Sequence, residues 1–222
     1  MIVKFAPQLI NLFATLILLL SFAMISQRRI VTLINLFMIQ GATLVAASFL
    51  LGYATNQPDL YVSGALTLVL KVIFIPWMLH RVIRKLNVRW DVETLLNVPT
   101  VMLVGIGLVI LAFSLALPVS RLSSSLAGGS LGIALACILL SFMMMITRSK
   151  AVPQVIGFLS MENGLIFAAT TVTNGMPMIV EFGVALDVLV GVLILGVFMF
   201  QIREKFDSLD IHNLETLKDD EA

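Results

Sequence analysis

NVPTVMLVGIGLVILAFSLAL, residues 97–117, runs for twenty-one residues without a single charge. A hydrocarbon core about 30 Å thick takes about 20 apolar residues wound as a helix, so this stretch reads as a membrane-spanning helix. Working outward from it, six more runs of the same kind lie at about 5–26, 30–52, 60–80, 126–147, 152–173 and 178–202, divided by charges or by Pro and Gly. None alternates strictly, and each is about twice the 9–11 residues of a barrel strand. The expected fold class is therefore an all-α membrane protein with seven transmembrane helices. Composition agrees: of 222 residues 59% are apolar and 12% charged, against roughly 45–50% and about 25% in soluble domains. The first run exceeds the roughly 7–15 residues of a signal-peptide core and is read as a retained helix.

Charge fixes an orientation. One side of a seven-span chain carries Arg28, Arg29, Arg81, Arg84, Lys85, Arg89, Arg148, Lys150, Arg203, Lys205 and Lys218, and the other only Lys4 and Arg121. Cytoplasmic loops hold the positive excess, which places the N-terminus outside and the C-terminus in the cytoplasm, across a bacterial or archaeal inner membrane. Residues 1–202 form one transmembrane domain and 203–222 a polar cytoplasmic tail ending Lys218-Asp219-Asp220-Glu221. The link from Arg81 to Leu96, with Trp90 inside it, reads as an interfacial helix or a charged loop. A net charge of +1 argues against nucleic acid as a partner; the lipid bilayer is one. Cys137 is a lone cysteine, and no phosphate loop, zinc spacing, haem histidine pair or iron–sulfur pattern is present, so no metal or cofactor is expected in this chain.

Sliding the chain by 123 residues sets Ser26, Leu36, Met38, Gly41 and Ala46 on Ser149, Leu159, Met161, Gly164 and Ala169. A shift of 120 sets Ala65, Leu66, Val72 and Lys85 on Ala185, Leu186, Val192 and Lys205. The first three runs thus resemble the last three: repeat A at about 5–86, a linking helix at about 97–117, and repeat B at about 126–206. The odd helix between them gives both triplets the same orientation, a parallel repeat.

A charge at the bilayer centre costs about 2.5–3.5 kcal/mol on insertion scales, so the few present need a reason. Lys71, Glu162 and Asp187 each lie about 15 Å deep at 1.5 Å per residue, in one plane. Glu162 and Asp187 fall on consecutive antiparallel runs, where two carboxylates could share or pass a proton, and Lys71 could offset one negative charge. Glu162 is followed by Asn163, an amide partner, and Gly164, a close-approach position; Gln40 of repeat A falls on Asn163. A structural reading stands beside this one, in which the buried charges only fix helix register. Glu181 and His80 sit near predicted helix ends, where a charge is cheaply solvated, and are weaker candidates. The small-residue run Gly128-Gly129-Ser130-Leu131-Gly132 reads as helix packing. Met143-Met144-Met145 face different directions and cannot converge on one ion, so they read as core or lipid-facing filler. Ser123-Ser124-Ser125 lacks the His and Asp of a nucleophilic triad.

The segment Val155-Ile156-Gly157-Phe158-Leu159-Ser160-Met161-Glu162-Asn163-Gly164, the Glu181–Asp187 stretch and the tail Leu209–Lys218 resemble component E of hydrogenase-4. Through it the last three runs resemble the K subunit of complex I and the C-type component of multisubunit cation/proton antiporters. The resemblance implies a non-catalytic membrane subunit that contributes to redox-coupled proton or cation translocation. Its implied partners are antiporter-like subunits, a complex I-like membrane anchor and a peripheral hydrogenase or dehydrogenase arm. The nickel–iron centre and iron–sulfur clusters would belong to those partners. It also implies that Glu162 and Asp187 match the two membrane glutamates of the complex I component, with Asp in place of the second Glu. Repeat A has Ile39 and Thr67 at the matching places, with Lys71 one turn on. A multisubunit antiporter without a redox arm, or a purely structural scaffold, are the alternatives.

Overall fold

The computed structural model describes residues 2–86, 97–122, 130–173, 183 and 189–191. All the regular elements there are helical: α1 (Ile2–Ser26), α2 (Ile30–Thr55), α3 (Pro58–Thr67), a π-helical segment (Leu68–Phe74), α4 (Ile75–Leu86), α5 (Val98–Leu122), α6 (Ser130–Thr147) and α7 (Ala151–Thr173). Together α3, the π segment and α4 make one span, so six helices are long and apolar enough to cross a membrane among the described residues. They correspond to the first six expected runs. Of the seventh run only residues 183 and 189–191 are described; the tail, the Ser123–Ser125 stretch and most of the link after Arg81 lie outside the described residues.

The turns follow from local chemistry. Asn56 closes α2 in the left-handed region at φ 56°, where its short polar side chain is tolerated, and the N–H groups of Asn56 and Gln57 both donate to the Gly52 carbonyl. Gln57 is extended, as a residue before proline must be, and Pro58 opens α3 at a position whose N–H has no helical acceptor anyway. Asp59 then sits in the first turn, where the helix dipole favours a carboxylate. Linker helix α5 continues past the expected boundary to Leu122, with Pro118 inside it.

Two apolar layers hold the bundle. One gathers Ile30, Phe37, Ile75, Leu79, Leu140 and Leu159; the other gathers Ala14, Leu44, Leu60, Ala134, Ile166 and Phe167. Met143 and Met144 are buried in the first, so of the two expected fates of the methionine run they are core. Helix α1 packs on α2 and α6, α2 on α7 and the π segment, and α6 on α7. Among the described elements α5 packs mainly on α6 and α1, and it turns Leu103, Ile106 and Ile110 outward.

Close approach depends on small residues. A Cβ at Gly157 would stand 2.9 Å from Met145 Cγ and 3.2 Å from the Ser141 carbonyl oxygen, and one at Gly164 3.0 Å from Ile138 Cγ1. A Cβ at Gly132 would meet Phe113 at 2.9 Å, so the last glycine of the small-residue run packs α6 on α5. At Gly107 nothing lies within 4 Å. Thermal unfolding in detergent should therefore separate two identical substitutions. G157A is expected to cost about 1–3 kcal/mol because backbone must move, whereas G107A should gain up to about 1 kcal/mol of helix propensity.

Candidate functional site

Between the two apolar layers lies a polar one. Lys71 Nζ stands 3.0 Å from Glu162 Oε1, and their side chains are 0% and 2% exposed. Lys71 is thirteen residues from Pro58 and ten from Arg81 in its span, and Glu162 is eleven from Ala151 and nine from Thr171. Both sit near mid-span, where the bilayer offers no water to solvate a lone charge. The ion pair therefore joins the third span to α7 across the middle of the bundle.

The π segment explains how Lys71 gets there. Leu60, Gly64, Thr67, Lys71, Ile75, Leu79 and Ile83 are all buried, which is twenty-three residues over six turns, about 3.8 per turn against 3.6 in an α-helix. A regular helix would carry this stripe off the bundle. The surplus is taken up in Leu68–Phe74, with i→i+5 bonding centred on Lys71. Gly41 allows the approach of α2, since a Cβ there would touch Val72 Cγ2 at 3.4 Å and Lys71 Cβ at 3.7 Å. Val69 is half exposed, so V69A is expected to be nearly neutral. Deleting Val69 removes the surplus residue, turns Lys71 against one of its flanking helices and is expected to cost about 1–3 kcal/mol in the same unfolding measurement.

A directed hydrogen-bond chain crosses the same layer. Asn163 Nδ2 donates to Gln40 Oε1 at 3.2 Å, Gln40 Nε2 to Ser21 Oγ at 2.9 Å, and Ser21 Oγ to the Ile17 carbonyl at 2.9 Å. Ser141 and Ser160 hydroxyls meet at 2.8 Å. Asn163 Oδ1 is buried and has no hydrogen-bond partner among the described residues. The chain aligns amide dipoles across α7, α2 and α1.

The spacings repeat. Gln40 and Asn163 are 123 residues apart, as are Ile25 and Arg148, where Arg148 Nη2 donates to the Ile25 carbonyl at 2.7 Å. Ser21–Gln40 and Ser141–Ser160 are each 19 apart, one in each hairpin.

Of the expected site residues, the structure brings together Lys71 with Glu162 and Gln40 with Asn163. His80 stands apart, its Nδ1 2.8 Å from the Pro76 carbonyl oxygen one turn back. Asp187 and Glu181 lie outside the described residues. Gly183 is described, and a Cβ there would come within 3.8 Å of Glu162 Oε1, so the seventh run reaches the ion pair at a glycine. Sequence reasoning missed Ser21, Ser141 and Ser160, hydroxyls common in membrane helices, although the repeated spacing of 19 was there to be read. It also missed Arg148 as anything but a surface charge; burial pushes its guanidinium down to about 10, still protonated at neutral pH.

No protein-family model matches the chain, and no solved structure does. Over 204 residues, 91% of this chain and 93% of the relative, it is 32% identical to the uncharacterized protein Rv0085 of Mycobacterium tuberculosis. Over 210 residues it is 23% identical to hydrogenase-4 component E of Escherichia coli K12, covering 95% of this chain and 97% of that one. The component E of Shigella flexneri matches equally.

Proposed function

Because the chain belongs to the same family as the mycobacterial protein Rv0085 and is distantly homologous to hydrogenase-4 component E, we propose that it is a non-catalytic membrane subunit of a hydrogenase-4-type, complex I-related assembly. In that assembly it contributes to redox-coupled proton or cation translocation. The observation that carries the reading is the Lys71–Glu162 pair at mid-span. A membrane helix keeps such charges where an ion path or a charge partner requires them. Glu162 and Asp187 hold protons on the path, Lys71 sets the local charge, and the Asn163–Gln40–Ser21 chain orients the layer.

The architecture we propose is the seven-helix one, with two parallel three-helix repeats flanking α5, the N-terminus outside and the C-terminus in the cytoplasm. Packing of α1 on α6 and of α2 on α7 supports it, as do contacts between positions 123 apart. About a two-fold axis, residues near the axis meet their own counterparts. The partners are antiporter-like subunits, a membrane anchor subunit and a cytoplasmic hydrogenase or dehydrogenase arm that holds the nickel–iron and iron–sulfur centres.

Purification in mild detergent through a tag on the C-terminal tail, followed by mass spectrometry, tests the partners. Near-stoichiometric antiporter-like subunits with a redox arm are expected, and recovery of the chain alone would overturn the reading. In the assembled complex, E162Q with D187N should abolish redox-driven ion movement while leaving the redox reaction with artificial acceptors intact. Unchanged pumping would remove both carboxylates from the path.

A further inference from the structure

One end of the bundle buries a cation with no counter-ion among the described residues. Arg148 is 1% exposed; its Nη2 donates to the carbonyls of Met24 at 3.2 Å and Ile25 at 2.7 Å, in the last turn of α1. Among the described residues its buried Nη1 has no hydrogen-bond partner, and no carboxylate pairs with it. The negative end of the α1 dipole offsets part of the charge and leaves the Nη1 donors unused. The turn that leaves α1 then adds two exposed cations, Arg28 and Arg29. Three guanidinium groups thus belong to one helix end, at the edge of the span Gln8–Ser26.

That edge lies where a span leaves the hydrocarbon and meets the headgroups. A guanidinium fork matches the two free oxygens of a phosphodiester in a way a single ammonium does not. We propose that this end of the bundle is a binding site for the phosphodiester of an anionic phospholipid, with Arg148 Nη1 as the inner donor and Arg28 and Arg29 as the outer ones. The position favours a lipid over free phosphate, because the headgroup is delivered at this depth by its acyl chains. The site is independent of the ion-pair layer and of the function proposed for it.

The full chain, purified in a mild detergent and stripped of lipid, is titrated with phosphatidylglycerol, with phosphatidylcholine and with inorganic phosphate. Retained lipid is counted by native mass spectrometry, and the thermal midpoint is followed in parallel. One phosphatidylglycerol should be retained at about thirtyfold lower concentration than phosphatidylcholine, a preference of the size two surface cations confer, with a rise in midpoint. R28Q/R29Q touches only exposed side chains, should melt like the wild type without lipid, and should lose the preference. Equal retention of the two lipids overturns the proposal. So does an undiminished preference in R28Q/R29Q, or protection by inorganic phosphate as strong as that by phosphatidylglycerol.

Discussion

Replacing Glu162 with Gln is expected to destabilise the folded protein by about 3–5 kcal/mol, because it removes the carboxylate facing a fully buried ammonium. The pair stands at 3.0 Å with 0% and 2% of the two side chains exposed, so neither charge has water to fall back on. K71M should cost a similar amount for the opposite reason. The double variant K71M/E162M, which replaces two buried charges with apolar side chains, is expected to lie within about 1 kcal/mol of the wild type or above it. Unfolding by heat or by denaturing detergent supplies the three free energies of the cycle. Single variants that each cost less than about 1 kcal/mol would show that the pair does little for stability. The same cycle separates the structural reading from the ion-path reading. A double variant that folds well yet fails to support ion movement in the complex assigns the pair to the path, and one that supports it assigns the pair to helix register.

The membrane class and the first six helices were legible because long apolar runs with at most one charge have one physical meaning in water and another in lipid. The break at Asn56-Gln57-Pro58 was legible for the same kind of reason, since an αL residue and a proline each forbid helix continuation. Lys71 and Glu162 stood out because charge is expensive in hydrocarbon, and equal depth was enough to place them in one plane. What the sequence could not show was the π segment. In a span where nearly every side chain is apolar, a stripe of about 3.8 residues per turn is invisible, and it becomes visible only when burial picks out Thr67, Lys71, Ile75 and Leu79. The hydroxyls of Ser21, Ser141 and Ser160 were hidden for a related reason, because a serine in a membrane helix more often bonds to its own backbone than to another helix.

Arg148 was the misjudged residue. Beside Lys150 and after a helix end, it reads as one more solvated base on the Arg-rich side, yet it reaches back to cap α1 from across the bundle. Replacing it with Met is expected to cost about 1–3 kcal/mol, because the Ile25 carbonyl loses its donor while the Met24 carbonyl keeps the Gln27 N–H. R148K keeps the charge but offers a point donor in place of a fork, and should recover about half of that loss. The difference between wild type and R148M should be flat from about pH 5 to 9, because the guanidinium holds its proton in both the folded and the unfolded chain there. Above that range the signs diverge. Burial lowers the folded value from its ordinary one to about 10, so above about 10 the unfolded chain holds the proton that the folded one has released. Stability of the wild type relative to R148M then rises with pH. A midpoint difference that already changes near neutral pH would show that another titrating group contacts the guanidinium. A loss under about 1 kcal/mol in R148M would show that the α1 carbonyls find other donors, and would leave Arg148 free to serve the headgroup alone.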